Sequence, residues 1–146
     1  NRWGSNDKIK PKQKKFSDWV QKTTGAMAKA EIPLMAGTDT PLGYLTPGFS
    51  LHYELELMVE SGLSELESLV TATLQPAKYF RMEDSLGLAK KDYIADLLLL
   101  RKNPLDNIAN TKDIFAVIKD GNFIDKSSLD QLQKEISEGV TVSTLK

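Results

Sequence analysis

Ile32-Pro33-Leu34-Met35-Ala36-Gly37-Thr38-Asp39-Thr40 is the stretch on which the fold turns. Its first six residues form an apolar run too brief for a helix, with Pro33 near the start, where a missing N–H is tolerated. The run predicts a buried strand over 32–37. At Gly37 the chemistry changes abruptly to a polar loop through Thr38, Asp39, Thr40 and Pro41. Asp39 therefore lies directly beyond the carboxyl end of the predicted strand, the place where β/α-barrel enzymes carry their catalytic groups. An Asp followed by Thr-Pro also serves simply to open a turn, and spacing alone leaves both readings open.

Working outward, Ser17 is a good N-cap and Asp18 suits the positive end of a helix dipole. A helix is predicted from there, with Val20, Thr24, Met27 and Ala28 near one face and Gly25 as its weak point. Residues 1–15 read as a polar loop. Downstream, Leu51, Leu55, Met58 and Val59 fall at helical spacing over 49–61, and Gly62 is the stop. Ser64-Glu65-Leu66-Glu67 is a capping box that opens a third helix. Pro76 ends it, with one more helical turn predicted over 76–82 and the proline at its first position.

After Asp84 the period changes. Residues 94–100 read as a strand, and 115–119 with 122–124 as a hairpin about Asp120-Gly121, a pair suited to the positive φ of a tight turn. Ser128-Leu129-Asp130-Gln131 suggests a capping box for a short terminal helix with a Leu129, Leu132, Ile136 stripe, followed by a frayed 140–146. One strand flanked by helices cannot make a parallel sheet by itself. The order points to an incomplete α/β domain.

Composition narrows the chemistry. The 146 residues include no Cys, which excludes disulfides, thiolate catalysis and Cys-ligated metals, and a single His, which excludes a centre needing several imidazoles from this chain alone. No apolar run approaches the roughly 20 residues that span a bilayer. No signal peptide is visible, but the chain starts at Asn1, so an address could have preceded it and the compartment stays open. Residues 1–30 hold eight basic groups against two acidic ones. A lysine arm of this kind suits phosphates. With Trp3 and Phe16 beside it but no interleaved stacking series, and an acidic remainder, it reads instead as a solvated arm, and no nucleic-acid partner is expected.

A longer pattern surrounds Asp39. Pro33–Thr40 is followed by Pro47-Gly48-Phe49-Ser50-Leu51-His52 and Glu54–Val59, then by Gly62-Leu63-Ser64, 72–77, Leu86-Gly87, 95–100, 103–108 and 117–121. This ordered set, covering roughly residues 16–125, resembles the last barrel unit of the amidohydrolase superfamily, nearest its imidazolonepropionase-like branch. The fold class implied is α/β: the C-terminal part of a TIM-type β/α barrel plus the C-terminal β segment of a small composite β domain. The boundaries are 1–82 for the barrel units with their basic loop, 83–125 for the β segment, and 126–146 for the helix and tail.

The resemblance implies a metal-dependent hydrolase of a carbon–nitrogen bond, in a cyclic amide or peptide-like small molecule. It implies a divalent metal, zinc, in the parent protein. In the family the aspartate after strand eight approaches the metal and handles the proton of the attacking water, and Asp39 matches it. The family's His-x-His pair, its bridging lysine or carboxylate and its further histidines have no counterpart in this sequence. His52, inside the Ser-Leu-His helix motif, reads as a packing or hydrogen-bonding group. The chain is thus expected to be a C-terminal fragment that binds no metal centre and turns over no substrate alone.

Around Asp39, Thr38 and Thr40 either orient it by hydrogen bonds or merely end the strand. Tyr44 either lines a substrate pocket or is an exposed loop side chain. Asp96 is expected to satisfy backbone donors in the β segment, and Glu54, Glu56 and Glu60 to form the wet face of a helix. Leu34, Met35 and the helix stripes lose neighbours in such a fragment, so a homo-oligomer is expected, pairing through 32–37 or 94–100. The alternative to an enzyme part is a non-catalytic, self-associating or protein-interaction module.

Overall fold

The computed structural model describes residues 11–40 and 46–139. Five helices, α1 (Pro11–Lys29), α2 (Ser50–Glu60), α3 (Glu65–Ala72), α4 (Leu74–Tyr79) and α5 (Lys126–Ser137), accompany three strands, β1 (Leu97–Leu100), β2 (Ile114–Lys119) and β3 (Asn122–Asp125). A 3-10 turn, Ile108–Lys112, precedes β2. The strands form an antiparallel meander in the order β1-β2-β3. None of the described helices is long and apolar enough to cross a membrane. Residues 1–10 of the predicted loop 1–15 and the tail 140–146 lie outside the described residues, and residues 11–15 are helix rather than loop.

α1 begins earlier than predicted, at Pro11 rather than near Ser17. Proline is tolerated at a first helical position, and the Lys-Gln-Lys-Lys that follows consists of good helix formers. Gly25 is no weak point. A Cβ built there would stand 2.1 Å from the Ser61 carbonyl oxygen, so the bare backbone is what lets α1 cross the end of α2. α2 ends as anticipated, with Gly62 at φ +110°.

The capping box at α3 forms in full: the Ser64 hydroxyl accepts the Glu67 amide at 3.3 Å, and Glu67 Oε2 accepts the Ser64 amide at 2.7 Å. Pro76 acts one turn upstream of where it stands. It has no N–H to give Ala72 and its ring crowds that carbonyl, so the helix breaks at Thr73 (φ −127°, ψ −83°). α4 then starts at Leu74, which leaves Pro76 at its third residue rather than its first.

The hairpin takes the predicted two-residue turn, with Asp120 at φ +50° and Gly121 at φ +78°, and pairs Lys119 with Asn122. β1 starts at Leu97, later than the predicted Ile94. Residues just before it serve the hairpin tip: Asp96 Oδ1 accepts the Asp120 amide at 2.8 Å, and the Ala95 carbonyl accepts the Gly121 amide at 3.1 Å. Asp96 thus has the structural role expected of it. Its carboxyl is held below the usual range first by the Asp120 amide and then by Lys119.

The cap of α5 is Asp125, not Ser128: the last residue of β3 accepts the Ser128 amide at 2.8 Å, so strand passes to helix without a loop. On α5 Leu129 and Leu132 are half-buried, whereas Ile136 is 68% exposed and falls off the stripe.

The buried apolar side chains are Leu55, Leu63, Ala77, Ile108 and Ala116, all between α2 and β2. Ser68, wholly buried in α3, donates to the Leu55 carbonyl of α2 at 2.9 Å. The 32–37 run belongs to no sheet among the described residues, contrary to the predicted buried strand. It has no regular secondary structure, with Leu34 and Ala36 half-buried and Ile32 and Met35 exposed, and the sheet of the described residues, β1-β2-β3, does not include it.

Gly25→Ala gives a direct check of the α1–α2 crossing. In an exposed helix that change stabilises by about 1 kcal/mol. Here it is expected to destabilise by about 1–3 kcal/mol in urea unfolding, because the new methyl meets backbone that must move. A variant as stable as the parent would disprove the close approach.

Candidate functional site

The 32–37 run leads to Asp39, whose backbone adopts the left-handed region at φ +52°. Aspartate tolerates this conformation better than most residues, and it turns the chain at the end of the run. Asp39 is exposed, while Thr38 and Thr40 on either side are half-buried. The hydrogen bonds that hold the segment come from its backbone. The Ala36 amide donates to the Thr71 carbonyl of α3 at 3.0 Å, and the Gly37 amide donates to Glu54 Oε1 of α2 at 2.7 Å. Tyr44 lies outside the described residues.

Glu54, Glu56 and Glu60 are not one wet face. Glu54 and Glu56 are half-buried, and each grips a different element. Glu56, with its side chain 15% exposed, forms an ion pair with Lys112, whose ammonium also lies 4.1 Å from the centre of the Tyr53 ring. Glu60 accepts from Gln21 of α1 at 3.4 Å. No local pattern announces these roles, since each partner lies far away in the sequence. One signal was available: 56 and 60 are i,i+4 neighbours, but 54 lies two residues from 56 and cannot share their face.

His52 has the packing and hydrogen-bonding role read from its helix motif. Its Nδ1 stands 3.1 Å from the Thr111 hydroxyl, which itself donates to the Ile108 carbonyl at 2.8 Å. A hydroxyl has one proton, so the bond runs from His52 Nδ1–H to Thr111, and Nε2 carries the lone pair. Burial first, and the Lys112 charge second, push the imidazole pKa below its ordinary value, with Glu56 opposing. His52 is therefore a neutral strut between α2 and the 3-10 turn. A cavity of about 280 Å³ opens beside it, bounded by α2, β2 and α5.

Comparison with known proteins places this geometry. The amidohydrolase family model matches residues 8–124, and the chain belongs to that family. Members of the family usually bind divalent metals. Among solved structures, the chain is similar to a Xaa-Pro dipeptidase with bound methionine in its active site (27% identity, TM-score 0.65, 73% of this chain and 25% of that one). It is also similar to molinate hydrolase (28%, TM-score 0.62, 74% and 27%). A third is a putative prolidase from Bifidobacterium longum (28%, TM-score 0.64, 78% and 30%). The chain thus spans between a quarter and a third of the length of these structures. A search of curated proteins gives no match. The mixed helix-and-strand architecture agrees with part of an α/β barrel-type fold.

The lowered pKa of His52 has a measurable consequence. Between the folded value and the unfolded value near 6.5 the unfolded chain binds more protons, so stability rises with pH through that window. Urea midpoints are expected to fall as pH drops from 7.5 towards 5.5, and the His52-dependent part of the fall is expected to vanish in His52→Gln. An unchanged slope in that variant would contradict the assignment.

Proposed function

We propose that these residues are the closing part of a hydrolase that cleaves a carbon–nitrogen bond, with Asp39 as the group that handles the proton of the attacking water. The observation that carries the reading is the position of Asp39 at the end of a run anchored to α2 and α3, inside the family match. A carboxylate at that position accepts the proton as water adds to the carbonyl and returns it to the departing nitrogen, work worth about 10²–10⁴-fold in rate. Thr38 and Thr40 are proposed to orient Asp39 by hydrogen bonds, and Tyr44 is proposed to border the substrate.

The assignment divides the chain into barrel units over 1–82, a segment of a small composite β domain over 83–125, and a helix and tail over 126–146. The barrel reading of the first part and the imidazolonepropionase-like branch both rest on the order of motifs around Asp39.

Among the described residues no three His, Asp or Glu side chains come together to hold a metal ion, so these residues do not by themselves fit one. The divalent ion proposed for the whole enzyme, zinc, needs ligands from beyond the described residues. Of the two substrate classes, the peptide-like one gains support from the dipeptidase and prolidase names among the structural neighbours.

Self-association completes the proposal. Phe16 and Trp19 are 65% and 60% exposed, and Ile32 and Met35 also face solvent. β1 is an outer strand of its sheet. Copies of the chain are proposed to pair through 32–37 or through the 94–100 segment that contains β1. The 146-residue chain is expected to scatter light as a dimer or larger species, and a clean monomer at high concentration would overturn this.

The decisive experiment expresses the complete reading frame that contains these residues, supplied with zinc, and assays dipeptides and cyclic amides. Asp39→Asn is expected to lower kcat/KM by about a hundredfold or more. Full activity in that variant would remove Asp39 from the chemistry, and metal-dependent turnover by the 146-residue chain alone would remove the need for further ligands.

A further inference from the structure

The two amides just before the turn at Asp39 are held by different helices. The Ala36 amide goes to α3 and the Gly37 amide to α2. The two holds differ in kind. Thr71 offers a neutral carbonyl, whereas Glu54 offers a carboxylate at 2.7 Å, and charge-assisted bonds of this type are the shorter and stronger ones.

Glu54 is also well placed to be rigid. Its neighbour Leu55 is buried, and the Leu55 carbonyl takes the hydroxyl of the wholly buried Ser68. Gly37 has nothing within 4 Å of where a Cβ would stand, so a side chain there would meet no crowding, and its contact with α2 is the hydrogen bond to Glu54.

We infer that Glu54 is a positioning residue: its carboxylate holds the Gly37 amide and thereby sets where the chain turns through the left-handed backbone of Asp39, two residues on. The inference rests on the proposed role of Asp39 for its importance to catalysis, but the anchoring itself does not depend on that role. The geometry is a short chain of rigid links. Buried Leu55 fixes α2, α2 fixes Glu54, Glu54 fixes Gly37, and only Thr38 separates Gly37 from the left-handed residue that carries the carboxylate.

The test is made on the 146-residue chain by NMR, through hydrogen exchange at the Gly37 amide and the three-bond amide–Hα coupling of Asp39, which reports its φ. In Glu54→Ala, Gly37 exchange is expected to speed up by about tenfold or more, and the Asp39 coupling is expected to move towards a conformational average. Exchange at the Leu55 amide should stay as in the parent. Glu54→Gln keeps an acceptor oxygen of the same reach and is expected to restore most of both signals; Glu54→Asp, one methylene shorter, is not. Gly37→Pro deletes the same bond from the donor side and should reproduce the Asp39 change without touching α2. Parent-like Gly37 exchange in Glu54→Ala, or a parent-like Asp39 coupling in both Glu54→Ala and Gly37→Pro, would overturn the inference. These readouts need no turnover, so they stand or fall separately from the loss of activity expected in Asp39→Asn.

Discussion

The fold depends on α2 being gripped at every turn. Ser50 at its start is buried, and its hydroxyl closes a local loop by accepting the Thr46 amide at 2.8 Å. His52 and Glu56 reach the 3-10 turn, Glu54 reaches the 32–37 run, Leu55 receives α3, and the Ser61 carbonyl lies against α1. A helix of 11 residues is marginal by itself, so tertiary contacts of this kind are what hold it. Because these contacts leave from different faces, α2 acts as the axle to which otherwise separate pieces are fixed. The described chain has few wholly buried apolar side chains, which makes the polar links between elements correspondingly more important.

Those polar links rely heavily on backbone amides meeting carboxylates. Glu67 caps α3, Asp125 caps α5 and Asp96 caps the hairpin tip, and in each case a backbone amide is the largest influence holding the carboxyl below its usual range. A depressed folded pKa means that the contribution is present at neutral pH and is lost as acid protonates the group. His52 works in the same direction from a different cause, burial. Acid therefore loosens helix ends, hairpin tip and the α2 strut together.

How much of this was legible in the sequence follows the range of each interaction. Asp120-Gly121 and the Ser64–Glu67 box are complete signals within four residues, and both formed as read. Ser128 was read as the cap of the last helix, but the cap is Asp125, three residues earlier, which also ends β3. The 32–37 run was readable as an apolar segment, but sheet membership needs partner strands, and none pairs with it among the described residues. Glu54 was misread as solvated because its partner, 17 residues away, is a backbone amide with no side-chain signature. Asp39 became a candidate through the order of motifs around it more than through its own spacing, since a turn-opening aspartate looks identical in isolation.

The ties at the hairpin tip carry one more implication. Asp120 and Gly121 are each fastened to residues just before β1, so the three strands share an end stop. Sliding β2 along β1 by one residue would tear both fastenings and turn Ala116, which has no exposed surface, towards water. The sheet consequently offers its outer edges in a single alignment. Any strand laid against β1 or β3 meets a fixed template, with its order of side chains already decided.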